Sequence, residues 1–343
     1  MDKKKCVYTL RSCVWEITLA CCFSCKYCGS KAGRARNNEL TTEECIDIAR
    51  QLSDMGCRRV SLIGGEVFMR PDWYVIVKAL TGRGILVSVI TNGYLFSDGI
   101  IRRLKEANIE SVAVSLDGPE AVHDAHRQNG SFRRAVNAID VLTANGIPVS
   151  VITTLHSKNY TALDEMYDLL KEKKISAWQL QACSPMGNAA DGRIDDAIDF
   201  ASVIGFVRKH LKDAPFSLGV ADNIGYYTQG EGSIRGNPSG SAVFRGCRAG
   251  LSSIGIDSIG NVRGCESMYD DRFIEGNLRE KSLDEIWNDP DAFSYNRCFS
   301  AELLSGKCAK CEYGRICAGG CRSYNFFTHG KMYESVRCAK PDR

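Results

Sequence analysis

Short β-branched runs recur through the first two-thirds of the chain: CVWEITL (13–19), RVSLI (59–63), ILVSVI (85–90), SVAVSL (111–116), PVSVITT (148–154) and ISAWQLQ (175–181). Between them the apolar spacing changes from strand-like to helical. TTEECIDIARQLSDMG opens with a Thr41-x-x-Glu44 capping box and stops at Gly56. DGIIRRLKEAN and GSFRRAVNAIDVLTANG follow the same plan. A further helix, predicted over about 194–212, carries Phe200, Val203, Ile204, Val207 and Leu211 on one face. Six β-then-α units predict a parallel sheet with right-handed crossovers, either an open doubly wound layer or a curved partial barrel. In both, chemistry belongs at the C-terminal ends of the strands. After about residue 215, Gly and Ser rise (GEGSIRGNPSGSAVFRG) and the alternation stops. Three parts are therefore expected: an α/β unit over 1–215, a bridging segment over 216–246 and a loop-rich unit over 247–343.

Composition narrows the classes. The chain has 343 residues, 44% apolar and 25% charged, as in an ordinary globular protein. A net charge of +3 is too small to argue for nucleic acid or a membrane surface. No segment reaches transmembrane length, and the basic head MDKKKCVYTLRSC has no apolar stretch behind it, so a cytoplasmic location is expected. The outlier is cysteine, with 17 residues. In a reducing compartment clustered thiols more often bind metal than form disulfides.

Four of them crowd into CCFSCKYCGS (21–30). The useful subset is Cys21-x3-Cys25-x2-Cys28, in the loop after the first strand. Three thiolates suit a [4Fe–4S] cube with one iron left open, whereas structural zinc needs a fourth ligand. Cys22 could supply it on paper, but adjacent residues in a tight loop rarely face one ion, so Cys22 reads as a packing cysteine.

This stretch resembles the radical S-adenosylmethionine (SAM) enzymes, whose signature is Cys-x3-Cys-x2-Cys with an aromatic, here Tyr27, before the last cysteine. The resemblance implies that the open iron chelates SAM. The cluster's electron then yields a 5′-deoxyadenosyl radical that abstracts hydrogen from substrate. Other strand ends match in order. Gly64, Gly65 and Glu66 would receive the SAM amino group, and Asn92 lies in the following TNG loop. Ser115 and Asp117 in SLDG would meet the ribose hydroxyls, and Arg127 the SAM carboxylate. The resemblance covers roughly 13–215 and implies a partial (β/α)6 barrel. GGEVFMRP departs from the commoner GGEPLL-like run but keeps the carboxylate. Cys183, in LQACSPMGNA, is expected near the active-site mouth, as a structural thiol or as a hydrogen-atom donor or substrate contact.

Seven of the eight later cysteines fall at suggestive spacings: Cys247, Cys265, Cys308-x2-Cys311-x5-Cys317-x3-Cys321, and Cys338. With GNLREKSLDEIW (276–287) they resemble the SPASM extension of radical SAM enzymes. That resemblance implies two auxiliary [4Fe–4S] clusters, one held by Cys308, Cys311, Cys317 and Cys338, the other by Cys247, Cys265 and Cys321. The fourth ligand of the second is open, with Cys298 a candidate. Cys6, Cys13, Cys45 and Cys57 read as structural. Three [4Fe–4S] clusters and SAM are thus the expected cofactors.

SPASM enzymes mostly modify peptides or proteins. The expected function is maturation of a ribosomally made peptide by crosslinking, epimerisation or excision. The alternatives are maturation of a protein of sulfatase type, weakened because Glu266 stands where that subgroup has Asp, or action on a haem- or quinone-type small-molecule precursor. Only a dozen residues precede the first strand, so a separate leader-recognition protein is expected beside the precursor peptide. A flavodoxin or ferredoxin would donate electrons.

Overall fold

The computed structural model describes residues 8–194, 197–235 and 243–340. Its frame is one ten-stranded sheet. In chain order the strands are β1 (Ser12–Glu16), β2 (Arg59–Ile63), β3 (Leu86–Thr91), β4 (Ser111–Ser115), β5 (Val149–Leu155), β6 (Ala177–Ala182), β7 (Ser217–Val220), β8 (Ser253–Ile256), β9 (Asn261–Arg263) and β10 (Gly276–Asn277). Strands β1 to β7 lie side by side and parallel. On the other edge of β1, β8 pairs in parallel, and β9 and β10 follow antiparallel.

The period-two alternation assigns each strand two different faces. Trp15, Leu62, Val87, Val89, Val112, Val114, Val151 and Leu180 are buried in the main apolar core, with the helices that follow the strands. The helix Thr42–Asp54 contributes Cys45, Ile48, Ala49 and Leu52, and its capping box at Thr41 and Glu44 forms as the sequence predicts. Most of the opposite positions are small or polar, although Val14, Ile63, Ile90 and Ile152 are also among them. Ser61, Ser88, Ser111, Ala113, Ser115, Ser150, Ala177 and Gln179 line a cavity of about 850 Å³ instead of filling it. A closed barrel packs that layer with bulky branched side chains. Here the incomplete ring of strands and its small inner residues leave room for ligands.

Two elements differ from the sequence expectation. Within the segment 216–246, β7 continues the parallel sheet after β6 and the short helix Glu231–Ile234 packs beside it. The C-terminal unit is not separate from the sheet either, because β8 pairs with β1 (Cys13 opposite Ile254). Both are four-residue strands containing glycine, a weak local pattern, and are held by partners far away in sequence. The helix expected from about 194 begins at Phe200, where the Asp199 side chain accepts a hydrogen bond from the Ala201 amide. Cys13, Cys45 and Cys57 are buried; Cys6 lies outside the described residues. Among these, no helix is long and apolar enough to cross a membrane.

The two faces should respond differently to truncation. Leu62→Ala, on the helix-packed face, should cost about 2–5 kcal/mol in anaerobic chemical denaturation. Ser150→Ala, on the cavity face, should stay within about 0.5 kcal/mol. Equal costs would contradict a hollow inner face.

Candidate active site

Cys21, Cys25 and Cys28 occupy a loop without helix or strand of its own, so neighbouring backbones must hold the thiols in place. Four strand ends do so. After β2, the Gly65 amide donates to Thr18 O (2.8 Å) and the Glu66 amide to Ala20 O (2.7 Å). A Cβ on Gly65 would run into the backbone of Leu19 and Ala20, so glycine is required for this approach. After β3, Asn92 Nδ2 reaches Cys22 Sγ (3.5 Å), and Tyr94 meets Phe23 edge to face. After β4, Tyr27 OH donates to Asp117 Oδ2, and the Lys26 amide to His126 O (2.9 Å). After β6, the Asn188 amide and Nδ2 donate to Cys28 O (2.9 Å) and Cys25 O (2.8 Å).

The three thiols line the 850 Å³ cavity with Tyr27, Gly64, Gly65, Asn92, Ser115 and Arg127. Two expected SAM contacts stand one layer behind it. Glu66 is fully buried; its carboxylate accepts from Thr91 Oγ1 (2.8 Å), the Asn92 amide (2.8 Å) and the Phe68 amide (3.3 Å). Asp117 accepts from Tyr27, from Arg127 Nε and from the Thr154 amide (2.9 Å). Burial alone would disfavour its charge, but the Arg127 guanidinium holds the Asp117 carboxyl below its usual range. Both acids thus shape the residues that face the cavity. Cys183 lies beside it, in a side cavity of about 210 Å³ shared with Tyr27, Cys28 and Met186.

The C-terminal thiols form two groups. Cys317 is pushed up to about 12 by burial and then by Cys338, Cys308 and Cys311 around it. Cys321 is raised by burial, with Cys247 and Cys265 adding to it, and Cys265 is pushed up to about 12 by burial and Cys247. Crowded thiols resist ionisation unless a cationic core replaces their protons, so the donor chemistry of both groups suits the iron–sulfur clusters expected of them, although among the described residues no three such side chains converge on a single metal ion. Cys298 is exposed.

Beside Cys265 the structure adds residues that sequence reasoning missed as a site. Glu266 lines the cavity, is 6% exposed, and neither carboxylate oxygen has a hydrogen-bond partner. Near it Arg36 bridges barrel and C-terminal unit, pairing with Glu16 (2.6 Å) and donating to Ser258 Oγ and Tyr269 OH. Positions 16, 36, 258, 266 and 269 share no local motif; only the pairing of β1 with β8 brings them together.

Burial raises the Glu66 carboxyl from 4.5 to about 7 against its three donors. A carboxyl raised on folding contributes stability that is present below pH about 4.5 and lost as pH rises through about 7. Ligand-free protein should therefore lose on the order of 3 kcal/mol across that window, and Glu66→Gln should flatten the dependence. Identical pH profiles of melting temperature in the two proteins would contradict this.

Comparison with known proteins matches this architecture. The radical SAM superfamily model covers residues 15–170, and the SPASM iron–sulfur cluster-binding domain model covers 247–312. The AdoMet-dependent heme synthase of Methanosarcina barkeri is 29% identical over 331 residues, covering 93% of each chain. The mycofactocin maturase MftC of Mycobacterium ulcerans is 31% identical over 336 residues, covering 92% of this chain and 83% of that protein. Among solved structures, Streptococcus suis SuiB bound to its precursor peptide SuiA superposes with a TM-score of 0.80 at 20% identity, over 97% of this chain and 76% of SuiB; that likeness is one of fold. Identity running through barrel and extension alike makes this chain a member of the radical SAM superfamily, an enzyme with a C-terminal SPASM iron–sulfur cluster-binding domain.

Proposed function

We propose that the protein is a maturase of a ribosomally synthesised peptide, which it modifies by hydrogen-atom abstraction to give a crosslink, an epimer or an excision product. The observation that carries this reading is the 31% identity to a mycofactocin maturase across nine-tenths of the chain. SAM and iron–sulfur clusters are its cofactors. The finer assignment is three [4Fe–4S] clusters, held by Cys21, Cys25 and Cys28; by Cys308, Cys311, Cys317 and Cys338; and by Cys247, Cys265 and Cys321. The first, when bound and reduced, supplies the electron that releases the 5′-deoxyadenosyl radical from SAM.

The chain's own residues would do the positioning. Gly64, Gly65, Asn92, Ser115 and Arg127 face the cavity where SAM would lie, with Glu66 and Asp117 fixing Asn92 and Arg127 from behind. The same cavity reaches Cys265 and Glu266, so a substrate within it would contact the auxiliary side as well. The unpartnered Glu266 carboxyl is suited to accept a hydrogen bond from a peptide amide. A separate leader-recognition protein and a flavodoxin- or ferredoxin-type donor would complete the system, in the cytoplasm.

A second reading, action on a haem precursor, is favoured by one observation. The heme synthase of M. barkeri is matched over 93% of its own length, against 83% for the M. ulcerans maturase. Anaerobic turnover with a peptide encoded beside the gene, and separately with an iron porphyrin, distinguishes the two. A mass change in the peptide supports the maturase; conversion of the porphyrin alone overturns it.

Reconstituted protein should carry about twelve irons per chain, falling to about eight when Cys21, Cys25 and Cys28 are all changed to Ala, with loss of 5′-deoxyadenosine formation. Stoichiometric zinc, or cleavage of SAM by that variant, would defeat the assignment. Glu266→Leu, which removes the acceptor, should keep its iron and still cleave SAM, while modified product falls roughly 10- to 100-fold. An unchanged product yield would remove Glu266 from substrate recognition.

A further inference from the structure

The two C-terminal thiol groups are joined by one short covalent connector. Cys317-Ala318-Gly319-Gly320-Cys321 places one thiol of each group at either end. Four residue steps span at most about 14 Å. Three residues of this connector have positive φ: Ala318 (52°), Gly319 (80°) and Gly320 (88°). Such a segment specifies its own course poorly, so something outside it must fix the relative position of its two ends.

Tyr226 packs against it. The backbone here is unusual, with Gly225, Tyr226 and Tyr227 at φ 89°, 101° and 51°. An aromatic residue at φ 101° is an outlier that persists only where surrounding contacts over-determine it. Those contacts can be named. The ring lies over Gly320, where a Cβ would come within 2.9 Å of it, and against Phe244 at 4.7 Å between centroids. The hydroxyl accepts a hydrogen bond from the Cys321 amide (3.0 Å) and donates to Asp222 O (2.8 Å). The backbone carbonyl of the same residue lies 3.8 Å from Cys338 Sγ. Arg235, tied to Glu231 by a buried ion pair (2.9 Å), covers the ring from outside. One buried side chain and its own carbonyl thus touch a cysteine of each group, and its ring closes the glycine connector between them.

We infer that Tyr226 is a positioning residue that sets the two auxiliary cluster sites relative to one another and withholds the Cys321 amide from the cluster at Cys247, Cys265 and Cys321. This rests on the reading of those thiols as cluster ligands. The reduction potential of an iron–sulfur cluster is set partly by hydrogen bonds to its sulfurs. While the Tyr226 hydroxyl accepts the Cys321 N–H, that donor is engaged away from sulfur. Removing the hydroxyl frees it to stabilise the reduced cluster.

The test uses anaerobically reconstituted full-length enzyme. Tyr226→Phe keeps the ring and carbonyl, so its iron content should match wild type. Redox titration followed by electron paramagnetic resonance should show one auxiliary cluster shifted to higher potential, with the other two unmoved. Tyr226→Gly relieves the φ strain but deletes the ring; its far-UV circular dichroism should be retained while iron falls from about twelve towards about four. Unmoved potentials in Tyr226→Phe, or full iron loading of Tyr226→Gly, would overturn the inference. A wild-type protein with no auxiliary-cluster signals would instead defeat the cluster assignment on which it rests.

Discussion

The structure depends on fixing a loop that cannot fix itself. Three thiols within eight residues line one cavity, and the chain between them forms neither helix nor strand. Its geometry is imposed by backbone and side-chain hydrogen bonds from the ends of β2, β3, β4 and β6. These are directional contacts with little tolerance for displacement. They explain why Gly65 lacks a Cβ and why Asn188 spends both its amide and its side chain on carbonyls of the cysteine loop. A parallel sheet suits this task because all its strand ends with loops of this kind lie on one rim.

The same alternation that builds the sheet also hollows it. Valine, leucine and tryptophan on one face drive packing against the helices, the dominant source of stability. The serines and alanines that are frequent opposite leave a cavity running from the cysteine loop to the C-terminal unit. Its electrostatics follow burial. Glu66 is raised by desolvation, whereas Asp117, equally buried, is held low by Arg127. Two acids at the ends of β2 and β4 thereby acquire opposite characters, one favoured in its neutral form and the other held charged by its partner.

Much of this was legible in the sequence because it is local. The six strand runs, the Thr41–Glu44 cap and the cysteine spacings are patterns within a few residues. Ser115, at the end of β4, and Arg127, at the end of the helix Glu120–His126, both line the cavity. What was not legible is long-range. β7 and β8 are too short to announce themselves, so the bridging segment read as linker. Asp117 and Glu66 sit at the expected strand ends, but their engagement behind the cavity depends on Tyr27, Arg127 and the Asn92 amide. Glu266 drew notice only as a departure from a related pattern; its burial without a partner arises from the packing of β8 and β9 against β1.

The central claim is that a radical generated at the cysteine loop takes hydrogen from a peptide in the same cavity. Turnover with a precursor peptide deuterated at carbon, followed by mass spectrometry of the 5′-deoxyadenosine released, tests it directly. The account predicts deuterium in the nucleoside together with a change in the peptide's mass. Unlabelled 5′-deoxyadenosine accompanying a modified peptide would contradict it.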